Sequence, residues 1–72
     1  MTDTVLLRKI IEKSGYKLQY IAEQIGISRQ ALSMKINNDS EFTTSEVEKL
    51  CNVLKITSLK ERYDIFFAKA VE

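Results

Sequence analysis

The chain has 72 residues, which is enough for one hydrophobic core, so residues 1–72 are expected to form a single domain. Hydrophobic residues make up 44% and charged residues 29% of the sequence, a composition that excludes an intrinsically disordered chain. No apolar run approaches the ~20 residues of a membrane span, and no signal-peptide pattern follows Met1. These features predict a cytoplasmic protein without a membrane partner.

Side chains that carry catalysis or bind metals are scarce. Histidine is absent, Cys51 is the only cysteine, and neither a metal-ligand spacing nor a glycine-rich phosphate loop occurs. We therefore expect no enzymatic activity, no metal site and no cofactor. Cys51 falls in an apolar helical stripe, which favours a buried and unreactive thiol.

The net charge of +1 is unevenly distributed along the chain. Residues 1–35 carry six basic and three acidic side chains, for a net charge of +3, whereas residues 36–72 carry five basic and seven acidic side chains, for −2. Binding to phosphates requires one positive face rather than a high total charge. The asymmetry is compatible with a DNA-binding N-terminal half and, equally, with chance in a short chain.

Apolar residues at helical spacing predict the first three helices. The first is predicted from Asp3 to Lys13, and the second from Leu18 to Gln24. Gly26 supplies the left-handed residue that commonly follows a helix. The third helix is predicted from Arg29 to Ile36, because Ser28 is a strong N-cap residue.

Two further helices follow a polar loop at residues 37–42. Thr43 or Thr44 is expected to cap the fourth helix, which ends near Lys55, and Thr43 has capping-box spacing to Glu46. Ser58 opens the fifth helix with the same spacing to Glu61. Four apolar side chains of the fifth helix are predicted to face inward: Leu59, Tyr63, Phe66 and Phe67. No strand is expected.

Residues 18–37 have the sequence LQYIAEQIGISRQALSMKIN. This pattern predicts two short helices joined by a tight turn. Small Ala22 permits a close approach of the helices, Gly26 permits the turn, and an apolar wedge lies between them. The wedge is predicted to consist of Ile21, Ile27 and Leu32. In such a pair the second helix projects from the surface, where its amides favour phosphate and its side chains reach base edges.

These residues resemble the Cro and phage-repressor class of helix-turn-helix proteins, also called the XRE type. The pattern I-A-x-x-I-G-I-S-x-x-x-L of that class is met by Ile21, Ala22, Ile25, Gly26, Ile27, Ser28 and Leu32. The resemblance implies an all-α, compact five-helix repressor-like domain in which helices 2 and 3 form the helix-turn-helix. It further implies sequence-specific binding to double-stranded DNA and regulation of transcription, with repression as the expected outcome.

The sequence departs from the family pattern in two places. Family members often begin the second helix with a Ser or Thr cap and a phosphate-binding Gln, where this chain has Lys17 and Leu18. Many members also bury an apolar residue at the position of Lys35 and expose a charge at that of Ile36. The second departure predicts that the recognition helix is rotated or ends early.

The candidate DNA-binding residues follow from the outward face of the third helix and the start of the second. They are Lys17, Gln19, Ser28, Arg29, Gln30, Ser33, Met34, Lys35 and Asn37. Arg pairs well with guanine, Gln with adenine, and Met with the thymine methyl group. Lys35 is expected to be a phosphate contact or a solvated charge.

The sequence leaves four alternatives open. Met34 fits either a thymine contact or a partly buried core position, and Asn37 fits either a DNA contact or a turn. A homodimer is expected to use the apolar residues of the C-terminal region, namely Tyr63, Ile65, Phe66, Phe67 and Val71, although these side chains fit closure of the monomer core almost equally well. The same fold also suits a protein-interaction module, such as an antitoxin or anti-repressor, which would present an apolar groove at the third helix.

Overall fold

The structure, a computed structural model, describes residues 1–67, and these residues form five helices without a strand. The helices are α1 (Thr4–Ser14), α2 (Leu18–Ile25), α3 (Arg29–Ile36), α4 (Thr44–Leu54) and α5 (Leu59–Phe66). The all-α expectation is confirmed. None of the helices in this part of the chain is long and apolar enough to cross a membrane.

Local capping chemistry explains where four of the five helices begin. The side chains of Asp3, Ser28, Thr43 and Ser58 each accept a hydrogen bond from the backbone N–H three residues later. Such a bond satisfies an amide that has no partner within its helix. The predicted start and end of α3 are confirmed.

Other helix boundaries differ from the predictions by one residue. Asp3 is the cap of α1 rather than its first residue, and α1 continues to Ser14. The second helix continues to Ile25, because the left-handed Gly26 closes it directly. The fourth helix ends at Leu54, where Lys55 adopts a left-handed conformation with φ of 58°.

The hydrophobic core draws on all five helices. Its most deeply buried large side chains are Leu7, Ile21, Leu32, Ile36, Leu50 and Ile65, which are fully buried. The wedge between α2 and α3 forms as predicted, with Ile21 and Leu32 buried and Ile27 packed partly buried against the core. The helix-turn-helix is therefore held on a core to which α1, α4 and α5 contribute.

The predicted inward face of α5 is wrong for three of its four residues. Phe66 is buried, but Leu59 is 78% exposed, Tyr63 56% and Phe67 53%. Ile65 and Phe66 are the residues of α5 that enter the core. Because Leu59, Tyr63 and Phe67 are spaced four residues apart, they share a neighbouring face that the core does not reach. Val71 lies outside the described residues.

The N-terminal residues connect the loop after α3 to α5. The backbone N–H and C=O of Thr2 pair with the side-chain amide of Asn38, each at 2.8 Å. The backbone N–H of Asp3 donates to the Ile65 carbonyl at 2.6 Å. Asn38 has φ of 66°, a conformation that Asn tolerates better than most residues. These contacts fix the loop that follows the third helix.

Cys51 is buried, as predicted, with 1% of its surface exposed. Burial raises the pKa of the Cys51 thiol above its ordinary value, and the positive charge of the nearby Arg62 offsets only part of that effect. The thiol is therefore protonated at neutral pH, which is the unreactive form.

Candidate nucleic-acid interface

The turn between α2 and α3 depends on Gly26. Its φ is 82°, in the left-handed region that glycine adopts without steric penalty. The N–H groups of Gly26 and Ile27 both donate to the Ala22 carbonyl, at 2.9 and 3.0 Å. These bonds close α2 and direct the chain into α3 only three residues later.

The third helix divides into a buried face and an exposed face. Ser28 caps its N-terminus, with Oγ accepting from the Ala31 N–H at 3.0 Å. Leu32 and Ile36 are fully buried one turn apart. The exposed face carries Arg29, Gln30 and Met34, with Ser33 half-buried between the two faces. Met34 is 41% exposed and does not belong to the core cluster, so its position is compatible with the thymine-contact interpretation.

The start of α2 presents free backbone amides beside a positive charge. Lys17 occupies the N-cap position in an extended conformation, and its side chain makes no capping hydrogen bond. The first amides of a helix without a side-chain cap favour an anion. Gln19 lies in the first turn, but its side-chain amide donates to Glu23 at 3.0 Å.

The C-terminal end of α3 is held by side chains of α1. The hydroxyl of Thr4 donates to the Ile36 carbonyl at 2.6 Å, and the Arg8 guanidinium donates to Oδ1 of Asn37 at 2.6 Å. Asn37 is the C-cap residue of α3 and is exposed. Asn37 ends the helix and also faces solvent. Its position is therefore compatible with both a role in the turn and a contact with DNA.

Lys35 differs from the other candidates because its ammonium group has partners within the protein. Its Nζ lies 2.9 Å from Oε1 of Glu46, and both side chains are only 15% exposed. It also donates to the Glu41 carbonyl at 2.9 Å. The fully buried Ile36 and the unbroken helix through residue 36 show that α3 does not end early.

Comparison with known families agrees with this geometry. A family model described as Helix-turn-helix, of the Cro/C1 type, matches residues 7–61, which is more than half of the chain. The chain belongs to the Cro/C1-type helix-turn-helix family. No curated protein and no solved structure matches it significantly. The family is one of DNA-binding transcription regulators.

In this Cro/C1-type protein the candidate residues form two groups. Ser28, Arg29, Gln30, Ser33, Met34 and Asn37 lie along or at the ends of α3, whereas Lys17 and Gln19 lie at the start of α2. Lys35 belongs to α3 but is directed to α4.

Arg8 is a further candidate for this interface that the sequence analysis missed. It lies on α1, is exposed, and reaches the end of α3 through Asn37. Its position depends on how α1 packs beside α3, which no local pattern encodes. The only signal in the sequence that could have indicated Arg8 as a candidate is the excess of basic residues in the N-terminal half.

Proposed function

We propose that this protein represses transcription by reading the major groove of operator DNA with the exposed face of α3. The observation that supports the proposal is the division of α3 into two faces. Leu32 and Ile36 anchor the helix in the core, whereas the side chains of Arg29 and Gln30 are exposed and make no hydrogen bond or ion pair with another described residue. Their donors and acceptors are available to a ligand.

Each group of residues has a distinct role in this proposal. Arg29 donates two hydrogen bonds to guanine, and Gln30 makes a bidentate contact with adenine. Met34 packs on a thymine methyl group, while Ser33 and Asn37 serve further base edges. Outside α3, Lys17 binds a phosphate together with the uncapped amides of α2.

The phosphate contacts extend to both sides of α3. Ser28 contacts the DNA backbone at the start of α3. Gln19 also contacts it, once its side-chain amide donates to a phosphate oxygen instead of to Glu23. Arg8 has N–H groups beyond the one that donates to Asn37, and it adds positive charge at the far end of the helix. Occupancy of the operator in the cytoplasm then excludes polymerase.

A homodimer supplies the rest of the specificity. One recognition helix reads only a few base pairs, so a two-fold dimer with half-sites about one helical turn apart is the arrangement that this motif commonly uses. Tyr63 and Phe67 stack on the outside of α5 with ring centroids 5.7 Å apart, next to the exposed Leu59. We assign this face of α5 to the dimer contact, because Ile65 and Phe66 are committed to the monomer core.

The test is selection of bound sequences from a random pool of duplex DNA by the purified chain. The proposal expects an enriched motif with two-fold symmetry. Recovery of sequences no different from the starting pool would contradict it.

One observation concerns the protein-interaction alternative. A groove of about 380 Å³, in the size range of ligand sites, lies between the loop after α3, α4 and α5, with apolar walls that include Phe42, Val47 and Phe66. It does not include the exposed face of α3, where this alternative expects an apolar surface. The two functions therefore use different faces, and DNA reading remains the function that the polar face of α3 supports better.

A further inference from the structure

Lys35 lies in the last turn of α3, and its ammonium group is directed at α4. Nζ is 2.9 Å from Oε1 of Glu46, in the first turn of α4, and 2.9 Å from the Glu41 carbonyl, in the loop between the helices. Only 15% of each charged side chain is exposed. Salt screens a sheltered pair much less than it screens a surface pair.

Glu46 is held in place by the start of its own helix. Its carboxylate accepts a hydrogen bond from the Thr43 N–H at 2.9 Å, and Thr43 Oγ1 accepts from the Glu46 N–H at 3.1 Å. Burial disfavours the charged carboxylate, but the hydrogen bonds from Thr43 and Lys35 and the charge of Lys35 outweigh it and lower the pKa of Glu46. The carboxylate that meets Lys35 is thus ionised and fixed at neutral pH.

The same ammonium group also contacts the loop between α3 and α4. Glu41 accepts its hydrogen bond, and the next residue, Phe42, packs edge-on against Phe66 of α5 with ring centroids 5.6 Å apart. Lys35 therefore connects the end of α3 to α4 directly and to α5 through the loop.

We propose that Lys35 is a positioning residue for DNA recognition, which fixes the C-terminal half of α3 against α4 and makes no phosphate contact. The proposal rests on the proposed function, because it requires α3 to read DNA. Base contacts tolerate errors of only about 0.5 Å and 10–20° in the elements that carry them. Leu32, Ile36 and the contacts from α1 still hold the helix when Lys35 is released, but the restraint toward α4 is lost. The position of Ser33 and Met34 then becomes less exact, and discrimination between DNA sequences falls.

The two possible roles of Lys35 give opposite expectations for Glu46. If the ammonium contacted a phosphate, Glu46→Gln would remove a competing negative charge and strengthen DNA binding. If the ammonium positions α3, Glu46→Gln weakens discrimination as Lys35→Met does. This result would occur even though the substitution removes a negative charge that phosphate repels. The dependence on salt differs as well, because loss of one phosphate contact reduces the log-log slope by about 0.9.

The experiment measures the affinity of the wild type, Lys35→Met, Glu46→Gln and the double variant for the selected site and for a scrambled duplex, over a series of salt concentrations. Each single variant is expected to reduce the ratio of the two affinities by about threefold to tenfold, or about 0.7–1.4 kcal/mol at 1.4 kcal/mol per tenfold. The double variant is expected to lose no more discrimination than either single variant, because both substitutions remove the same Lys35–Glu46 ion pair. The salt slope is expected to stay at its wild-type value.

Two control variants separate loss of the Lys35–Glu46 ion pair from a general change of charge. Glu48→Gln removes an exposed acid from the same helix, and it is expected to leave discrimination unchanged. Lys35→Arg preserves the charge and the ion pair, and it is expected to retain discrimination within about twofold. If Lys35→Met fails to fold, Glu46→Gln, which breaks the ion pair, is compared with Lys35→Arg, which preserves it.

The outcomes distinguish this assignment from the function on which it rests. A slope reduced by about 0.9 in Lys35→Met, with tighter binding by Glu46→Gln, overturns the positioning role and leaves DNA reading intact. Equal discrimination in all variants also overturns it. A wild-type protein with no preference for any sequence overturns both.

Discussion

Leu32 is one of the two side chains that anchor the third helix in the core. It is fully buried in the wedge between α2 and α3, so Leu32→Ala is expected to reduce the free energy of unfolding by about 2–5 kcal/mol. Met34→Ala on the exposed face of the same helix is the matched control, with an expected change within about 0.5 kcal/mol. Urea unfolding measures both, and equal stabilities would place Leu32 outside the core.

Glu46 makes the stability of the fold depend on pH. Its pKa lies below the ordinary value of 4.5 in the folded protein, so the ionised carboxylate stabilises the folded state above about pH 4.5, and this contribution disappears as the pH falls through the folded pKa. The stability difference between wild type and Glu46→Gln is therefore expected to shrink on acidification. Thermal unfolding of both proteins between pH 7 and pH 3 tests this, and a constant difference would contradict it.

The sequence predicts some side-chain environments better than others. Exposure of Arg29 and Gln30 follows from the phase of α3, because Leu32 and Ile36 define its buried face. The environments of Lys35 and Asn37 could not be predicted, because their partners Glu46 and Arg8 belong to other helices. Sequence spacing contains no information about which polar groups meet across a tertiary contact.

The turn between α2 and α3 is expected to be intolerant of substitution. Gly26→Ala forces a Cβ into a residue with φ of 82°, at an expected cost of about 1–2 kcal/mol in the free energy of unfolding, even though nothing lies within 4 Å of that Cβ. Gln24→Ala, at an exposed position near the end of α2, is the control and is expected to change stability little. Chemical denaturation distinguishes them, and a fully stable Gly26→Ala would show that the turn relaxes.

Helix starts were predictable, whereas the orientation of α5 was not. Ser28, Thr43 and Ser58 cap their helices through residues three positions away, which is a purely local relation. The fifth helix offers two competing apolar faces, one with Ile65 and Phe66 and one with Leu59, Tyr63 and Phe67. Only the packing of the other four helices decides which of them is buried.

The exposed face of α5 is expected to join two copies of the chain. Tyr63→Glu places a charge there and is expected to abolish dimerisation while the monomer stays folded, because Tyr63 is 56% exposed. Val5→Glu on α1, where Val5 is 66% exposed, is the matched control. Sedimentation and footprinting on a selected site measure both, and a Tyr63→Glu variant that still protects two half-sites would exclude this face.

Reading of the DNA sequence by α3 can be tested by repeating the selection from random DNA with Gln30→Ala and with Lys17→Ala. Gln30→Ala is expected to lose preference at one symmetric position, by about 1–3 kcal/mol per half-site, with the other positions retained. Lys17→Ala is expected to retain the whole motif and to bind all sequences more weakly, because a phosphate contact carries no sequence information. An unchanged motif with Gln30→Ala, or a uniform loss at every position, would contradict direct reading by α3.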